Sequence, residues 1–377
     1  MSSHSSAVFV EKRILALICL ACVCYACIEF LIFPGRLFGD GVYYHQMSLY
    51  LTPIQPFPWG LRILTPFIVG TLCKYSGVSN DLSFAILMFA AITINLYILG
   101  RIVTLIGFDR HYTFCTIALT TATYWYIPFY IQTFRTVDSL NYLFISLLFL
   151  YGIKRKPFAY VLILIIGLFN KETILLCSPI YYIVNTSRSD LNCKYLYQIF
   201  RYLGCSFIIL FLYRYSLCKL LGVEVVSAYL SNIDGRTPLE QMIFDLSRFK
   251  TFASVYLVYN FLWIITSILL IYNTKKINYN IDRLLIYFFC IALMTRPFTD
   301  APRAFALICP FLIVNFLHLC MNFDSRYMRS IIIIAVFAHI FIQFQYLSQP
   351  ISYFVDGFVV ILFLIALEFY KDNKPLE

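Results

Sequence analysis

Charged side chains are scarce in this chain of 377 residues. Asp, Glu, Lys and Arg make up 13% of it, residues of the AVILMFWYC set make up 61%, and the mean hydropathy is +0.79. A typical soluble domain has about 25% charged and about 45–50% apolar residues. The composition therefore argues against an ordinary soluble domain and predicts an integral membrane protein.

The chain also lacks the motifs of several common enzyme classes. It contains no phosphate-binding glycine-rich loop, no HExxH zinc motif and no Ser-His-Asp signature. Without a phosphate-binding loop, the sequence gives no support to an ATP-driven mechanism. Most of the 13 cysteines lie inside apolar runs, where a cysteine acts as a small hydrophobic residue. We therefore expect neither a disulfide framework nor a cysteine-bound metal.

Long apolar runs divide the chain into membrane-crossing segments. We predict an all-α, polytopic transmembrane helix bundle of about 10–12 membrane helices, because about 20 apolar residues cross a bilayer. It is predicted to form a single integral membrane domain over residues 1–377, with interfacial helices in the first outer loop. The full spans are predicted at 14–33, 82–106, 112–131, 137–153, 199–221, 251–272, 282–295, 304–321, 330–347 and 354–370.

Two apolar segments do not fit the length of a full span. The segment 61–75 is short, so we predict a re-entrant or interfacial helix there. The segment 158–183 is long but is interrupted by Asn170-Lys171-Glu172. We predict that it forms a hairpin of two short helices with these three residues at its tip.

The basic residues indicate the topology, and the formal net charge of +10 is spread over short loops between apolar runs. If Lys12-Arg13 is cytoplasmic, the strongly basic short loops all fall on the cytoplasmic side, as the positive-inside rule requires. The extracytoplasmic side then contains the segments 34–81 and 222–250. The run 14–33 is longer than a signal-peptide core, so we expect an uncleaved anchor. A compact chain without a long tail leads us to expect a bacterial inner membrane.

Polar residues far apart in the sequence meet on this outer side, and we predict that they form one site. Asp40 lies between two glycines and is followed by Tyr43, Tyr44 and His45. A carboxylate at a membrane surface can accept a proton from a hydroxyl nucleophile or hold a metal. The alternative is a solvated aspartate in a turn, which Gly-Asp-Gly also favours.

Asn170-Lys171-Glu172 places charges inside an apolar stretch, where they are costly and often functional. The alternative is a Lys171–Glu172 or inter-helix ion pair at a hairpin tip near the lipid headgroups. Arg135 and Asp138 flank the start of another span on the same side. Helix capping would explain Asp138 but not Arg135.

The last polar segment is the proline-containing turn with Arg296, Asp300 and Arg303. Two guanidiniums offer forked donors that suit a phosphate. The alternative is an exposed salt bridge between Asp300 and either arginine, which would contribute little. Arg62, at the start of the short helix, adds another cation to this side.

With these residues in place, the chain resembles the GT-C superfamily of polytopic glycosyltransferases. These enzymes use lipid-phosphate-linked sugars at the extracytoplasmic face. The resemblance rests on four features: Asp40 in the first outer loop, the pattern from Pro58 to Pro66, the Lys-Glu-Thr at 171–173, and the Asp-x-Pro-Arg turn at 300–303.

The resemblance implies transfer of a hexosyl or pentosyl group from a polyprenyl-phosphate-linked donor to a glycan, lipid or protein acceptor. Asp40 would be the base or a metal ligand, and Glu172 is a second catalytic candidate. The donor phosphate would be bound by Arg303, Arg296, Arg62 and Lys171. The substrate-binding candidates are Tyr43, Tyr44, His45, Arg135, Asp138 and Asp300. A divalent metal could be bound, no other cofactor is expected, and the bilayer rather than nucleic acid is the expected partner.

Two other functions remain open at this stage. One is a transporter or flippase of a lipid-linked sugar or another amphiphile, for which polar residues near the bilayer midplane and two related halves would be typical. The other is a polysaccharide polymerase or ligase, for which a larger outer loop late in the chain would be expected. The clustering of polar residues on one side favours the transferase.

Overall fold

The computed structural model describes residues 41–50, 61–123, 126–127, 135–186, 193–221, 258–272, 279–295, 305–323, 326–343 and 349–372. In these ranges the regular elements are all helical, as predicted. The α-helices are α1 Gly41–Tyr50, α2 Leu64–Ser76, α3 Asn80–Ile106, α4 Arg110–Ala122, α5 Asp138–Ile153, α6 Pro157–Leu168, α7 Ile180–Asn185, α8 Cys193–Leu221, α9 Phe261–Tyr272, α10 Tyr279–Thr295, α11 Cys309–Met321, α12 Arg326–Gln343 and α13 Gln349–Asp372. A 3-10 helix, Glu172–Cys177, lies between α6 and α7.

The chain forms two compact units. The first comprises Met1–Ile98 and Phe129–Thr237, and the second comprises Leu99–Pro128 and Pro238–Glu377. In the first unit, α5 packs against α6, α7 and the 3-10 helix, and α1 packs against α2. In the second, α4, α9 and α10 pack on α11, whose residues from Cys309 to Leu317 are all buried.

Three of the described helices are long and apolar enough to cross a membrane by length and composition. They are α3, α8 over Lys194–Leu220, and α12. Several others, including α5, α6, α9 and α11, are equally apolar in character but shorter. The predicted span 14–33 lies outside the described residues.

The short helix predicted at 61–75 is present as α2, which begins at Leu64 and ends at Ser76. Its 13 residues correspond to about 20 Å, less than the roughly 30 Å of a hydrocarbon core. The helix ends in a left-handed Gly77, with φ of 68°, whose N–H donates to the carbonyl of Cys73. Its placement as re-entrant or interfacial stays a prediction.

Helix α4 ends earlier than the predicted span 112–131. Its last residue is Ala122, and Thr123 is already extended. Threonine hydroxyls at 116, 120, 121 and 123 each donate to the carbonyl four residues earlier, at 2.7–2.9 Å. Such bonds compete with the backbone hydrogen bonds of a helix and weaken it. The apolar pattern of the sequence does not predict this effect.

The interrupted segment 158–183 forms the predicted hairpin. Helix α6 starts at Pro157, where the missing N–H costs nothing, and ends at Leu168. Lys171 is extended before the 3-10 helix begins. The buried hydroxyl of Tyr160, on α6, donates to the carbonyls of Cys177 (2.8 Å) and Ser178 (2.9 Å), where the 3-10 helix ends. This side chain therefore satisfies backbone groups that the break in helix leaves without partners.

The two arms of the hairpin are in tight contact at Gly167. A Cβ added there would lie 2.9 Å from a methyl carbon of Ile174 and 3.3 Å from the ring of Phe144. We expect Gly167→Ala to destabilise the protein by about 1–3 kcal/mol, because overpacking a tight contact forces its neighbours apart. Thermal unfolding of the detergent-solubilised protein measures the effect.

Gly204 in α8 is the matched control, because a Cβ there would meet nothing within 4 Å. Gly204→Ala should be neutral or stabilising by up to about 1 kcal/mol through helix propensity. Equal effects at the two positions would contradict the close approach at Gly167.

Candidate functional site

The described part of the chain contains eight of the predicted site residues, all in the first unit. They are Tyr43, Tyr44, His45, Arg62, Arg135, Asp138, Lys171 and Glu172. Asp40, Arg296, Asp300 and Arg303 lie outside the described residues, so their shared site stays a prediction. Seven of the eight form the hydrogen bonds and ion pairs described next, and Tyr43 is half-buried on α1 beside Tyr44.

The carboxylate of Glu172 is bound by two arginines from distant segments. Arg62 contacts both of its oxygens through Nε (3.0 Å to Oε2) and Nη2. Arg214 on α8 donates from Nη2 to Oε2 at 2.8 Å. The side chains of Arg62 and Arg214 are 10% and 4% exposed, and that of Glu172 is 30% exposed. Two guanidiniums thus converge on one carboxylate at the edge of the packed interior.

Electrostatics fix the charge of this group. Burial alone would raise the pKa of the Glu172 carboxyl, but Arg62 and Arg214 outweigh it and hold that pKa well below its usual range. Burial would likewise lower the pKa of Arg62, but Glu172 and the Tyr44 hydroxyl more than offset it. Arg62 also donates from Nη1 to that hydroxyl at 2.8 Å. Glu172 and Arg62 therefore both stay charged across the physiological pH range.

Lys171 and Asp138 form a second ion pair beside the first. Nζ of Lys171 donates to Oδ1 of Asp138, and the side chains are 16% and 7% exposed. Asp138 is the first residue of α5, and Val137 rather than Asp138 occupies the N-cap position. The carboxylate lies in the first helical turn, where the helix dipole favours a negative charge. Both charges of the interrupted segment are thus paired with other segments and not with each other.

Asn170 holds the tip of the hairpin in place and is completely buried. Its Nδ2 donates to the carbonyl of Val137 at 2.9 Å, and its Oδ1 accepts from the hydroxyl of Thr65 at 2.6 Å. The backbone N–H of Leu64 donates to the carbonyl of Phe169 at 3.2 Å. These bonds join the start of α2 and the start of α5 to the tip, and thereby position Lys171 and Glu172.

A third ion pair joins Arg135 to Asp81, in the first turn of α3. Arg135 binds both carboxylate oxygens, with Nε at 2.7 Å and Nη2 at 2.6 Å. Nδ1 of His45 lies 3.6 Å from the same carboxylate. A Cβ on Gly41, the residue that follows Asp40, would lie 3.3 Å from the carbonyl of Arg135. The first helix therefore approaches the backbone of Arg135 closely, which a glycine permits.

These three carboxylates and the four cations that they bind make up what we term the charged cluster. Its cations are Arg62, Arg135, Lys171 and Arg214, and its carboxylates are Asp81, Asp138 and Glu172. With His45 neutral, the cluster has one excess positive charge. The guanidiniums are held in fixed orientations by carboxylates, so they could bind a further anion with little reorganisation.

Two members of the cluster were missed in the sequence. Arg214 lies within a long apolar helix, about 10 Å before its end at 1.5 Å per residue. A charge in such a helix is itself a signal of a functional site or an internal ion pair, and that signal could have found it. Asp81 looked like an ordinary helix start, because an acidic residue in the first turn is common.

Within the described ranges, no group of three or more His, Cys, Asp or Glu side chains could hold a metal ion. Asp40, the residue to which the resemblance assigns a possible metal-ligand role, lies outside those ranges. Metal dependence therefore stays a prediction.

Comparison with known proteins does not add a family to this description. No protein-family model matches the chain, and no curated protein matches it.

Proposed function

We propose that the chain is a multi-pass membrane glycosyltransferase that uses a polyprenyl-phosphate-linked sugar at the extracytoplasmic face of a bacterial inner membrane. The observation that carries the proposal is the convergence of Arg62 and Arg214 on Glu172. The three apolar helices of spanning length support the membrane location. The N-terminus would be cytoplasmic, which places the ends of the helices that form the charged cluster on the outer side.

The chemistry requires positive charge where the donor phosphate leaves. Charge accumulates on this phosphate as the glycosidic bond breaks, and preoriented guanidiniums stabilise it. Arg62 uses three of its five N–H donors in the bonds described above, so within the described residues two remain that a ligand could use. Lys171 adds a further cation beside it. Asp40 would accept the proton of the acceptor hydroxyl, and a direct displacement would invert the anomeric centre.

The arrangement favours a positioning role for Glu172 over proton transfer. Its carboxylate accepts bonds from two arginines, and its depressed pKa makes it a weak base. We therefore assign Glu172 to the orientation of Arg62 and Arg214. The sequence pointed to Glu172 as a catalytic candidate because a charge inside an apolar stretch is costly and often functional.

The experiment measures transfer of radiolabelled sugar from a panel of polyprenyl-phosphate sugars in membranes that contain matched amounts of each variant. We expect Arg214→Lys to reduce transfer by about 100-fold, because the ammonium of a lysine cannot take the place of the Nη2 donor that holds Glu172, and Glu172 in turn orients Arg62. Arg201→Lys is the matched control, since Arg201 is exposed on the same helix and should leave transfer unchanged. We expect Asp40→Asn to abolish transfer.

Wild-type membranes that transfer no sugar from the whole panel would overturn the proposal. Equal losses in Arg214→Lys and Arg201→Lys would keep the enzyme but remove the charged cluster from its mechanism.

A transporter or flippase is the second candidate, and one observation in the second unit favours it. Asp282 on α10 is 6% exposed and has no ion-pair partner among the described residues. Ionisable residues buried in apolar helices are typical of ion and proton pathways. Uptake or flipping of a labelled lipid-linked sugar without covalent transfer would support this alternative.

A further inference from the structure

The second unit contains a buried pair of polar side chains, Asp282 on α10 and Asn315 on α11. Nδ2 of Asn315 donates to Oδ1 of Asp282 at 2.6 Å. Asn315 is completely buried and Asp282 is 6% exposed. The pair belongs to helices that pack directly on each other and is independent of the charged cluster of the first unit.

Half of this pair has no hydrogen-bond partner within the described residues. Oδ2 of Asp282 and Oδ1 of Asn315 are both buried, and neither accepts a hydrogen bond. If Asp282 were ionised, these two atoms would be buried acceptors without a donor, one of them charged. Such a group is costly in a protein interior, and an unpaired charge costs most.

Protonation of Asp282 would remove both deficits at once. A neutral carboxyl has one O–H donor and retains a carbonyl acceptor, and a carboxamide has both a donor and an acceptor. The two groups can therefore form a closed pair, in which the amide donates to Oδ1 and the acid donates to the amide oxygen. No polar atom of the pair then lacks a partner.

Among the side chains that the structure describes, none supplies a counter-charge to Asp282, and the dipole of α10, in whose first turn Asp282 lies, is the one described feature that favours the ionised form. Besides Asp282, the groups that can carry a charge are Tyr279, Arg283, Tyr287 and Cys290 on α10, Cys309, His318 and Cys320 on α11, and Arg110, His111, Tyr112 and Cys115 on α4, which packs on α11. Within the described ranges, none of them forms an ion pair or hydrogen bond with Asp282. The ring of His318 is stacked instead with that of Phe108, with centroids 6.3 Å apart. Helix α9, whose Trp263 is stacked with Phe289 of α10, has no such group over residues 261–271.

We propose that Asp282 and Asn315 form a proton-binding site, with Asp282 as a neutral acid that donates from Oδ2 to Oδ1 of Asn315. A metal cation is a weaker candidate, because hard cations such as Mg²⁺ and Ca²⁺ take six or more oxygen ligands and this pair offers two. The site does not depend on the transferase reaction, and its protonation would link the packing of α10 on α11 to pH.

Infrared spectroscopy of the purified full-length chain in lipid nanodiscs tests the protonation state directly. We expect a carbonyl band of a protonated, hydrogen-bonded carboxyl at pH 5 in the wild type and its loss in Asp282→Asn. Asparagine at 282 preserves the shape and the closed pairing, so this variant should fold and unfold at nearly the wild-type temperature. Absence of the band from a folded wild type would overturn the proposal.

Thermal unfolding against pH supplies the second readout. A proton held by the folded state but released on unfolding makes stability fall as the pH rises. As the pH rises, we expect the unfolded-to-folded ratio of the wild type to increase relative to that of Asp282→Asn, by up to about tenfold per pH unit. The increase should continue until Asp282 loses its proton in the folded state as well. Parallel pH profiles of the two proteins would overturn the proposal. Stabilisation of the wild type alone when sodium replaces choline would assign the pair to a cation and overturn it as well.

Discussion

Replacing Glu172 with glutamine is expected to lower the free energy of unfolding by about 3 kcal/mol at pH 7. The substitution preserves the size of the side chain but removes the negative charge between Arg62 and Arg214. Both guanidiniums would then remain in a largely buried location without their shared counter-charge. Removing one partner of a buried ion pair usually costs about 3–5 kcal/mol, and we expect the lower end here because 30% of the Glu172 side chain is exposed to solvent. Chemical unfolding in detergent micelles measures the difference.

The pH dependence of the same comparison separates charge from shape. The folded-state pKa of Glu172 is depressed, so its stabilising contribution is fully present above the ordinary value of 4.5 and is lost as the pH falls toward the folded-state pKa. The difference in free energy of unfolding between wild type and Glu172→Gln should therefore decrease progressively below pH 4.5. A gap that stayed constant would mean that lost packing, and not lost charge, causes the effect.

Asp109→Asn is the matched control for Glu172→Gln. Asp109 pairs with Arg329 at 3.0 Å, but both side chains are more than 40% exposed. It also caps α4 by accepting from the N–H of Tyr112, which asparagine can continue to do. The same change from acid to amide should cost less than about 1 kcal/mol here. A loss of unfolding free energy in Asp109→Asn as large as that in Glu172→Gln would contradict the view that burial makes the Glu172 ion pairs important for stability.

Asn170→Asp is expected to destabilise the protein by about 3 kcal/mol, because it changes a completely buried amide into a carboxylate. The variant loses the Nδ2 donor that binds the carbonyl of Val137 and places a carboxylate oxygen against that carbonyl oxygen instead. The Thr65 hydroxyl can still donate to it, so the acceptor half of the site survives. Because these bonds hold Lys171 and Glu172 in position, we expect sugar transfer to fall together with stability.

Asn185→Asp provides the comparison at a more accessible amide of the same unit. Asn185 also donates to carbonyls, those of Gly152 and Tyr181, and accepts from Nε of Arg155 at 2.9 Å. A carboxylate at this position would gain an ion pair with Arg155, which offsets part of the lost bonding. A smaller loss of stability at Asn185 than at Asn170 is therefore the expected result. The reverse order would contradict the role assigned to the hairpin tip.

Apolar patterning was sufficient to predict most of the described helices. Helix α3 begins two residues before the predicted start at 82, and α5 begins one residue after the predicted start at 137. The break at Asn170-Lys171-Glu172 was also predicted, because three polar residues in succession cannot continue a lipid-facing helix without cost. The early end of α4 was not predicted, since it depends on hydroxyl bonds within a stretch that is apolar on average.

The pairing of charges was predicted less completely. The sequence pointed to Arg62, Arg135, Asp138, Lys171 and Glu172 as residues on one side, and the structure brings them into one cluster. It did not indicate which cation meets which carboxylate, because partners from separate segments depend on how the helices pack. Arg214 and Asp81 were overlooked for this reason, although each supplies a partner to a residue that had been singled out.

During synthesis of the chain, Arg62 is made well before the residue with which it pairs. Its carboxylate partner is 110 residues further along the sequence. At about 5–20 residues per second, roughly 5–20 s separate the emergence of the arginine from that of the glutamate. Arg214, the other partner of Glu172, is made later still. During this interval the guanidinium of Arg62 must remain solvated by water or lipid headgroups, so the segment from 61 to 63 can enter the packed interior only after the hairpin has been inserted. A ribosome stalled before residue 172 should thus leave Arg62 accessible to an aqueous arginine-modifying reagent, and one stalled well beyond residue 214 should leave it protected.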